Sequence, residues 1–517
     1  MSRRPNILLI TSDQQHWHTI GARNPEISTP NLDRLVREGT TFDRAYCPNP
    51  TCTPSRASIL TGMYPSQHGA WTLGTKLLED RHTVAEDFAE AGYRTALIGK
   101  AHFQPLKSTA EYESLESYPR LQDLDYWRKF DKRFYGFDHV ELARNHTNEA
   151  HVGQHYALWL EERGCDNWRD YFLAPTGTMD PEATYKWPIP EKYHYNTWIA
   201  ERANAMMADY KESDEPFFLW ASFFDPHPEY LAPEPWDTMY DPDKLTIPAL
   251  VPGEHDRNPP HFGLTQAEDP DFSHLVETGY GIHGYRSHLY YEYGSKFKLT
   301  AYDKKKLVAV YYGMISLMDK YIGRILDRLD ELGLAEDTLV VFTTDHGHFF
   351  GQHGLQAKGG FHYEDLIKLP FIVRYPGRVP AGRSSDAIQS LVDLAPTFLS
   401  FCGIPIPHSM TGVDQKRDMA RQPFRCAGSR DLRISPRTDD DPPEDIRERA
   451  VQNYRLLQSN LWRDFRFAGG SGRAAQSVGR AGSGAVKDGA SDEIYLGRAW
   501  QGAAADAQDT SRLTARP

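Results

Sequence analysis

The sequence predicts an α/β fold: one large, mixed but mostly parallel sheet flanked by helices, with a small or degraded subdomain toward the C-terminus. Three observations carry this. Short continuous apolar runs recur along the chain, segments of helical periodicity alternate with them, and the apolar runs stop abruptly at polar clusters. Runs of that kind suit strands covered on both faces. Their alternation with helices is the pattern of layered α/β domains.

The elements follow in chain order. Ile7 to Ile10 reads as a buried strand ending in Thr11-Ser12-Asp13. Thr29-Pro30-Asn31-Leu32 reads as a helix start, with Thr29 as cap and Pro30 at the first helical position. A helix from about Thr83 to Ala91 leads through Gly92 to a strand over Arg94 to Ile98, then Gly99-Lys100. Phe217 to Ser222 is a further strand, followed by Asp225-Pro226-His227. Leu307, Val310, Met314, Leu317, Tyr321 and Ile325 recur at helical spacing and predict one long amphipathic helix. Leu339 to Phe342 is the last strong strand, ending in Thr343-Thr344-Asp345-His346-Gly347. In open α/β sheets ligands bind beyond the carboxyl ends of the strands. One crevice is therefore expected to collect Asp13, Lys100, His227 and Asp345. Tyr112 to Lys192 and Pro233 to Ser295, rich in Tyr, Trp, Pro and His, read as insertions around its mouth.

Composition narrows the function. The chain has 517 residues, 58 basic and 71 acidic, for a net charge of −13. No basic stripe is present to neutralise phosphates, so a nucleic-acid partner is not expected. An anionic substrate would need a local positive site built against the overall field. The five cysteines, Cys47, Cys52, Cys165, Cys402 and Cys426, are scattered and form no C-x-x-C pair, which fits a reducing compartment. The N-terminal apolar run is too short for a signal segment, and no stretch is long enough to span a bilayer. A cytoplasmic location without membrane attachment is the expectation.

One stretch carries the most chemical information: Cys52-Thr53-Pro54-Ser55-Arg56, followed by Leu60-Thr61-Gly62. It places a cysteine in a polar turn. The pattern C-x-P-S-R-x-x-x-L-T-G resembles the signature of the type I sulfatases, of the alkaline-phosphatase-like superfamily, and the resemblance extends in blocks from about Asn6 to Gly412. It implies that a maturation enzyme oxidises Cys52 to formylglycine, whose hydrate attacks the sulfur of a small-molecule or carbohydrate sulfate ester. It implies that Asp13, Gln14, residue 52, Asp345 and His346 hold a divalent cation. Ca²⁺ is the ion of the family, and the histidine admits Mn²⁺ beside Mg²⁺. Arg56 would brace the modified residue. Gly99-Lys100-Ala101-His102 resembles the family's G-K-W-H element, with Lys100 against the sulfate oxygens and His102 as proton acceptor. His227 and Lys358 match the leaving-group side, where a proton donor lowers the barrier. His348 and His353 read equally well as loop histidines.

Two departures qualify the resemblance. Many sulfatases carry Asp-Asp and Asp-Asn-Gly where this chain has Asp13-Gln14 and Asp345-His346-Gly347. Those pairs resemble the phosphonate monoester hydrolases, whereas Lys100 and His102 resemble the sulfatases. A phosphonate monoester or phosphodiester hydrolase is thus the competing enzyme reading, and a non-catalytic binding protein on a sulfatase scaffold is a third. The domain expectation is a catalytic domain over 1–420 and an atypical segment over 421–517. Gly469 to Pro517 has few apolar anchors, which suits disorder. An out-of-frame origin is the other reading: codons exist for which a one-base shift of Asp440 to Ser471 yields the Y-G-E-I-F-D-L element expected at a sulfatase C-terminus.

Overall fold

A computed structural model describes residues 4–105, 107–144, 151–173, 186–258, 260–267, 299–359 and 361–420. The expectations for 421–517 lie outside these. Eight strands form one mixed sheet in the order Arg383–Ser385, Thr40–Phe42, Ile372–Arg374, Thr338–Thr344, Asn6–Ser12, Phe217–Ser222, Arg94–Gly99 and His139–Leu142. From Thr338–Thr344 to His139–Leu142 every pairing is parallel, while Ile372–Arg374 runs antiparallel to both of its neighbours. The parallel strands therefore present their carboxyl ends along one edge.

Alternation along the central strand explains its continuous apolar run. Leu8 and Ile10 pack into one hydrophobic layer and Ile7 and Leu9 into the layer on the opposite face, as the period of two requires. The first layer includes Leu307, Met314, Leu317, Tyr321 and Ile325 of the long helix, which spans Ala301–Glu331. The second includes Ala57, Ile59 and Leu60, from the helix that begins at Cys52. Among the described residues no helix is long and apolar enough to cross a membrane.

Three sequence expectations need correction. Cys52 does not sit in a polar turn; it is the first residue of the helix Cys52–Thr61, buried throughout. The segment read as an insertion from Tyr112 contributes a strand of the main sheet, His139–Leu142, and the buried helix Gln154–Glu162. Its strand is only four residues long and lies among aromatic residues, so periodicity did not reveal it. Thr29 does precede the helix Pro30–Glu38, but its side chain makes no capping bond. Asp319 of the long helix accepts from the backbone N–H groups of Asn31 and Leu32 at 3.0 and 2.7 Å. A distant carboxylate thus does what a local cap normally does.

Gly99 marks where a strand hands over to the site. Its φ is +109°, and a Cβ there would stand 1.9 Å from the carbonyl oxygen of Ser222 on the adjacent strand. Gly99→Ala is expected to destabilise the fold by on the order of 3 kcal/mol, read as a lowered denaturant midpoint. An unchanged midpoint contradicts this account of the strand end.

Candidate active site

Four of the parallel strands are followed by polar residues at their carboxyl ends. Asp13 and Gln14 follow Asn6–Ser12, Lys100 and His102 follow Arg94–Gly99, Asp225 and His227 follow Phe217–Ser222, and Asp345 and His346 follow Thr338–Thr344. Cys52 and Arg56 enter from the buried helix. Its sequence explains its form. Pro54 falls in the first turn, where its missing N–H costs nothing. Ser55 donates to the Asp345 carbonyl at 2.6 Å. Gly62 closes the helix in the left-handed region at φ +64°, where glycine carries little penalty.

Arg56 is fully buried and ties three strand ends together. Its Nε donates to Asp345 Oδ2 at 2.9 Å, and its Nη1 donates to the Lys100 carbonyl at 3.0 Å and to Ser222 Oγ at 2.8 Å. Its Nη2 lies 3.5 Å from Asp13 Oδ2. Lys100 also pairs with Asp13 Oδ2. Burial pushes the Asp13 carboxyl up, but Lys100, Arg56 and Lys358 together hold it far below the ordinary range. Burial draws Lys100 down despite its carboxylate neighbour.

Cys52 Sγ is the focus of the cluster. Lys358 Nζ lies 3.0 Å from it, His346 Nε2 3.2 Å and Asp13 Oδ1 3.7 Å. Burial and Asp13 push the thiol up; Lys358 and Lys100 more than offset them, leaving it below its usual value. Its place at a helix N-terminus favours the same direction. Lys358 Nζ also lies 3.0 Å from His227 Nε2, and His227 Nδ1 donates to the Pro228 carbonyl. Burial and then Lys358 hold His227 well below its ordinary value. His227 is therefore neutral, and Lys358 is the member of this pair with N–H groups to offer.

The cation expected from the sequence has a fitting donor set. One ligand atom each from Asp13, Cys52, Asp345 and His346 lies within 4.8 Å of all the others, and all four residues are buried. His346 Nδ1 lies 3.1 Å from the Gly347 carbonyl. Only an N–H can donate there, so in the neutral ring Nε2 is the nitrogen left with a lone pair, the arrangement metal-binding imidazoles adopt. Gln14 gives the sharpest test. Its Nε2 bonds His348 Nδ1 at 2.9 Å, while its buried Oε1 has no hydrogen-bond partner. An unpaired buried acceptor costs roughly 1–3 kcal/mol, and a cation satisfies it. His348, itself bonded to Tyr230 at 3.0 Å, is thus no bland loop histidine: it holds the amide nitrogen of Gln14 and leaves the oxygen unpaired. That role is invisible without the fold. Glu116 and Arg144, which hold the His102 loop, were also missed. Arg144 follows the strand His139–Leu142, and the rule that found the other strand ends would have found it had that strand been recognised.

Arg56→Met is expected to destabilise the protein by about 3–5 kcal/mol, because it leaves buried Asp13 and Asp345 short of a partner. A melting temperature equal to the parent's contradicts this.

Comparison with known proteins agrees with this architecture. Residues 5–404 match the family described as Sulfatase. An arylsulfatase of Clostridium perfringens is 28% identical over 430 residues, covering 80% of this chain and 78% of its own. A multifunctional alkaline phosphatase superfamily protein of Trinickia caryophylli is 30% identical over 424 residues, covering 79% of this chain and 76% of its own. Among solved structures, a phosphonate monoester hydrolase from Silicibacter pomeroyi superposes with a TM-score of 0.63 at 26% identity, covering 81% of this chain and 77% of that one. The family match spans the strand ends and the helix Cys52–Thr61 alike, and the chain belongs to the sulfatase family, within the alkaline-phosphatase-like superfamily.

Proposed function

We propose that this sulfuric ester hydrolase works through residue 52, converted from cysteine to formylglycine by a maturation enzyme, beside a divalent cation. The observation that carries the reading is the convergence of Lys358, His346 and Asp13 on Cys52 Sγ at 3.0–3.7 Å. A thiol used only for packing gains nothing from three polar neighbours. Formylglycine supplies a hydrate hydroxyl as nucleophile toward the ester sulfur. A cation held by Asp13, Gln14, Asp345, His346 and residue 52 supplies Lewis-acid polarisation of the ester oxygens.

The protein's own groups have separable tasks. Arg56 lies beside both Asp13 and Asp345, whose oxygens would face the cation. Lys100 and Lys358 offer positive charge to the sulfate oxygens, charge that counts for more in a buried site than in water. Lys358, bridging residue 52 and His227, is placed to give a proton to the leaving oxygen. His227, whose Nε2 accepts from Lys358, orients that Nζ for the transfer. His102 belongs to the same loop as Lys100 and serves the hydroxyl chemistry at residue 52. Aryl, carbohydrate and alkyl sulfates all suit this machinery.

A second reading, phosphonate monoester hydrolysis, is favoured by a specific observation. His346 belongs to the candidate metal cluster, and Gln14, beside Asp13, carries a buried Oε1 without a hydrogen-bond partner, the residue types that resemble the phosphonate hydrolases. Matched aryl sulfate and aryl phosphonate substrates separate the two. The expected outcome is a higher kcat/KM for the sulfate; a preference for the phosphonate transfers the assignment.

Cys52→Ala is expected to lower kcat by at least ~10³-fold on aryl sulfates, and full activity in that variant would sink the proposal. Removal of the metal by chelation is expected to reduce turnover on the order of 100-fold or more, restored by adding back a divalent ion. Undiminished turnover in exhaustively chelated protein contradicts the cation assignment.

A further inference from the structure

Arg144 is absent from every motif discussed above, yet it is among the most completely buried charged side chains, at 0% exposure. Arginine is seldom buried so fully without a reason. Its Nη2 lies 2.7 Å from His102 Nε2, and its Nε and Nη1 have no hydrogen-bond partner. The loop it reaches is gripped a second time. Glu116 accepts from the backbone N–H groups of His102, Phe103 and Gln104 at 2.6, 2.8 and 2.7 Å. His102 itself sits in the left-handed region at φ +58°. That conformation is costly for a residue with a Cβ and persists where surroundings over-determine it. Glu116 therefore fixes the backbone and Arg144 fixes the ring.

The chemistry of this contact has one consistent reading. A guanidinium has five donors and no acceptor. Burial lowers Arg144 to about 10, so it keeps its charge in the neutral range. At 2.7 Å it can only donate, and His102 Nε2 can only accept. The lone pair occupied in this way is the one the ring would use to take a proton at Nε2. An imidazolium would set N–H against N–H. The ring is thus neutral, with its proton on Nδ1.

We propose that Arg144 is a positioning residue that locks His102 as the neutral Nδ1–H tautomer, making His102 a hydrogen-bond donor from Nδ1 rather than a proton acceptor at Nε2. Its kinetic consequence rests on the reading of residue 52 and its loop as the hydrolytic site; the tautomer itself does not. The role foreseen for His102 from the sequence, taking a proton, changes accordingly.

The test is a long-range ¹H–¹⁵N spectrum of the full-length protein labelled at histidine, with His102 assigned by difference from His102→Gln. The parent is expected to show Nε2 at an unprotonated shift and Nδ1 at a protonated one near pH 7. Arg144→Met is expected to release the ring to Nε2–H or to averaged signals. Arg144→Lys, which keeps a donor, is expected to restore the parent pattern. In turnover, Arg144→Met is expected to lower kcat by about 10–100-fold, the range for a lost orienting partner, with KM changed less than about twofold and partial recovery in Arg144→Lys. An Nε2–H or doubly protonated ring in the parent overturns the proposal, and needs no variant to fold. So does an Arg144→Met protein whose His102 tautomer is unchanged. If the tautomer is as expected while Cys52→Ala keeps full activity, the lock stands and the functional reading falls.

Discussion

Arg56 is the contact on which the site depends. One guanidinium, with no solvent exposure, bonds the carboxylate after one strand, the carbonyl after a second and the serine hydroxyl ending a third. Placing an arginine there is expensive unless every partner is in position. The same side chain lies against both Asp13 and Asp345, whose oxygens stand within 4.8 Å of Cys52 Sγ and of each other. Strand register, helix placement and ligand geometry are thus coupled through a single side chain. A lysine could not replace it, because a point charge lacks the planar fork needed to reach several acceptors.

The electrostatic design follows from that anchor. The chain as a whole carries −13, which repels an anionic ester at long range. Inside the cluster Arg56, Lys100 and Lys358 outnumber Asp13 and Asp345, all within a few bonds of Cys52. Short-range charge in a buried environment outweighs a screened surface field. The left-handed φ values at Gln14, His102 and Ala357, near +60°, fall beside the residues that line this cluster. Strain concentrated there is what a preorganised site requires.

Much of this was legible in the sequence because strand ends and chemistry coincide. Buried parallel strands are long apolar runs, so Ile7–Ile10, Phe217–Ser222 and Leu339–Phe342 stood out, and the polar residue after each was a natural candidate. The C-x-P-S-R motif singled out Cys52 but not its setting: a cysteine flanked by Thr and Pro looks like a turn, whereas the helix Cys52–Thr61 is buried throughout. What stayed hidden depends on contacts distant in sequence. Asp319 capping a helix some 290 positions away, His348 holding Gln14, and Arg144 reaching His102 leave no local pattern. The strand before Arg144 is too short to announce itself by periodicity.

The central claim is that residue 52 acts in its oxidised form. Its most direct test is peptide mass spectrometry of residue 52 in preparations made with and without a maturation enzyme, set against turnover of an aryl sulfate in the same samples. The account predicts turnover proportional to the fraction of peptide that has lost hydrogen sulfide and gained oxygen. Full turnover from protein whose peptide retains its sulfur would contradict it.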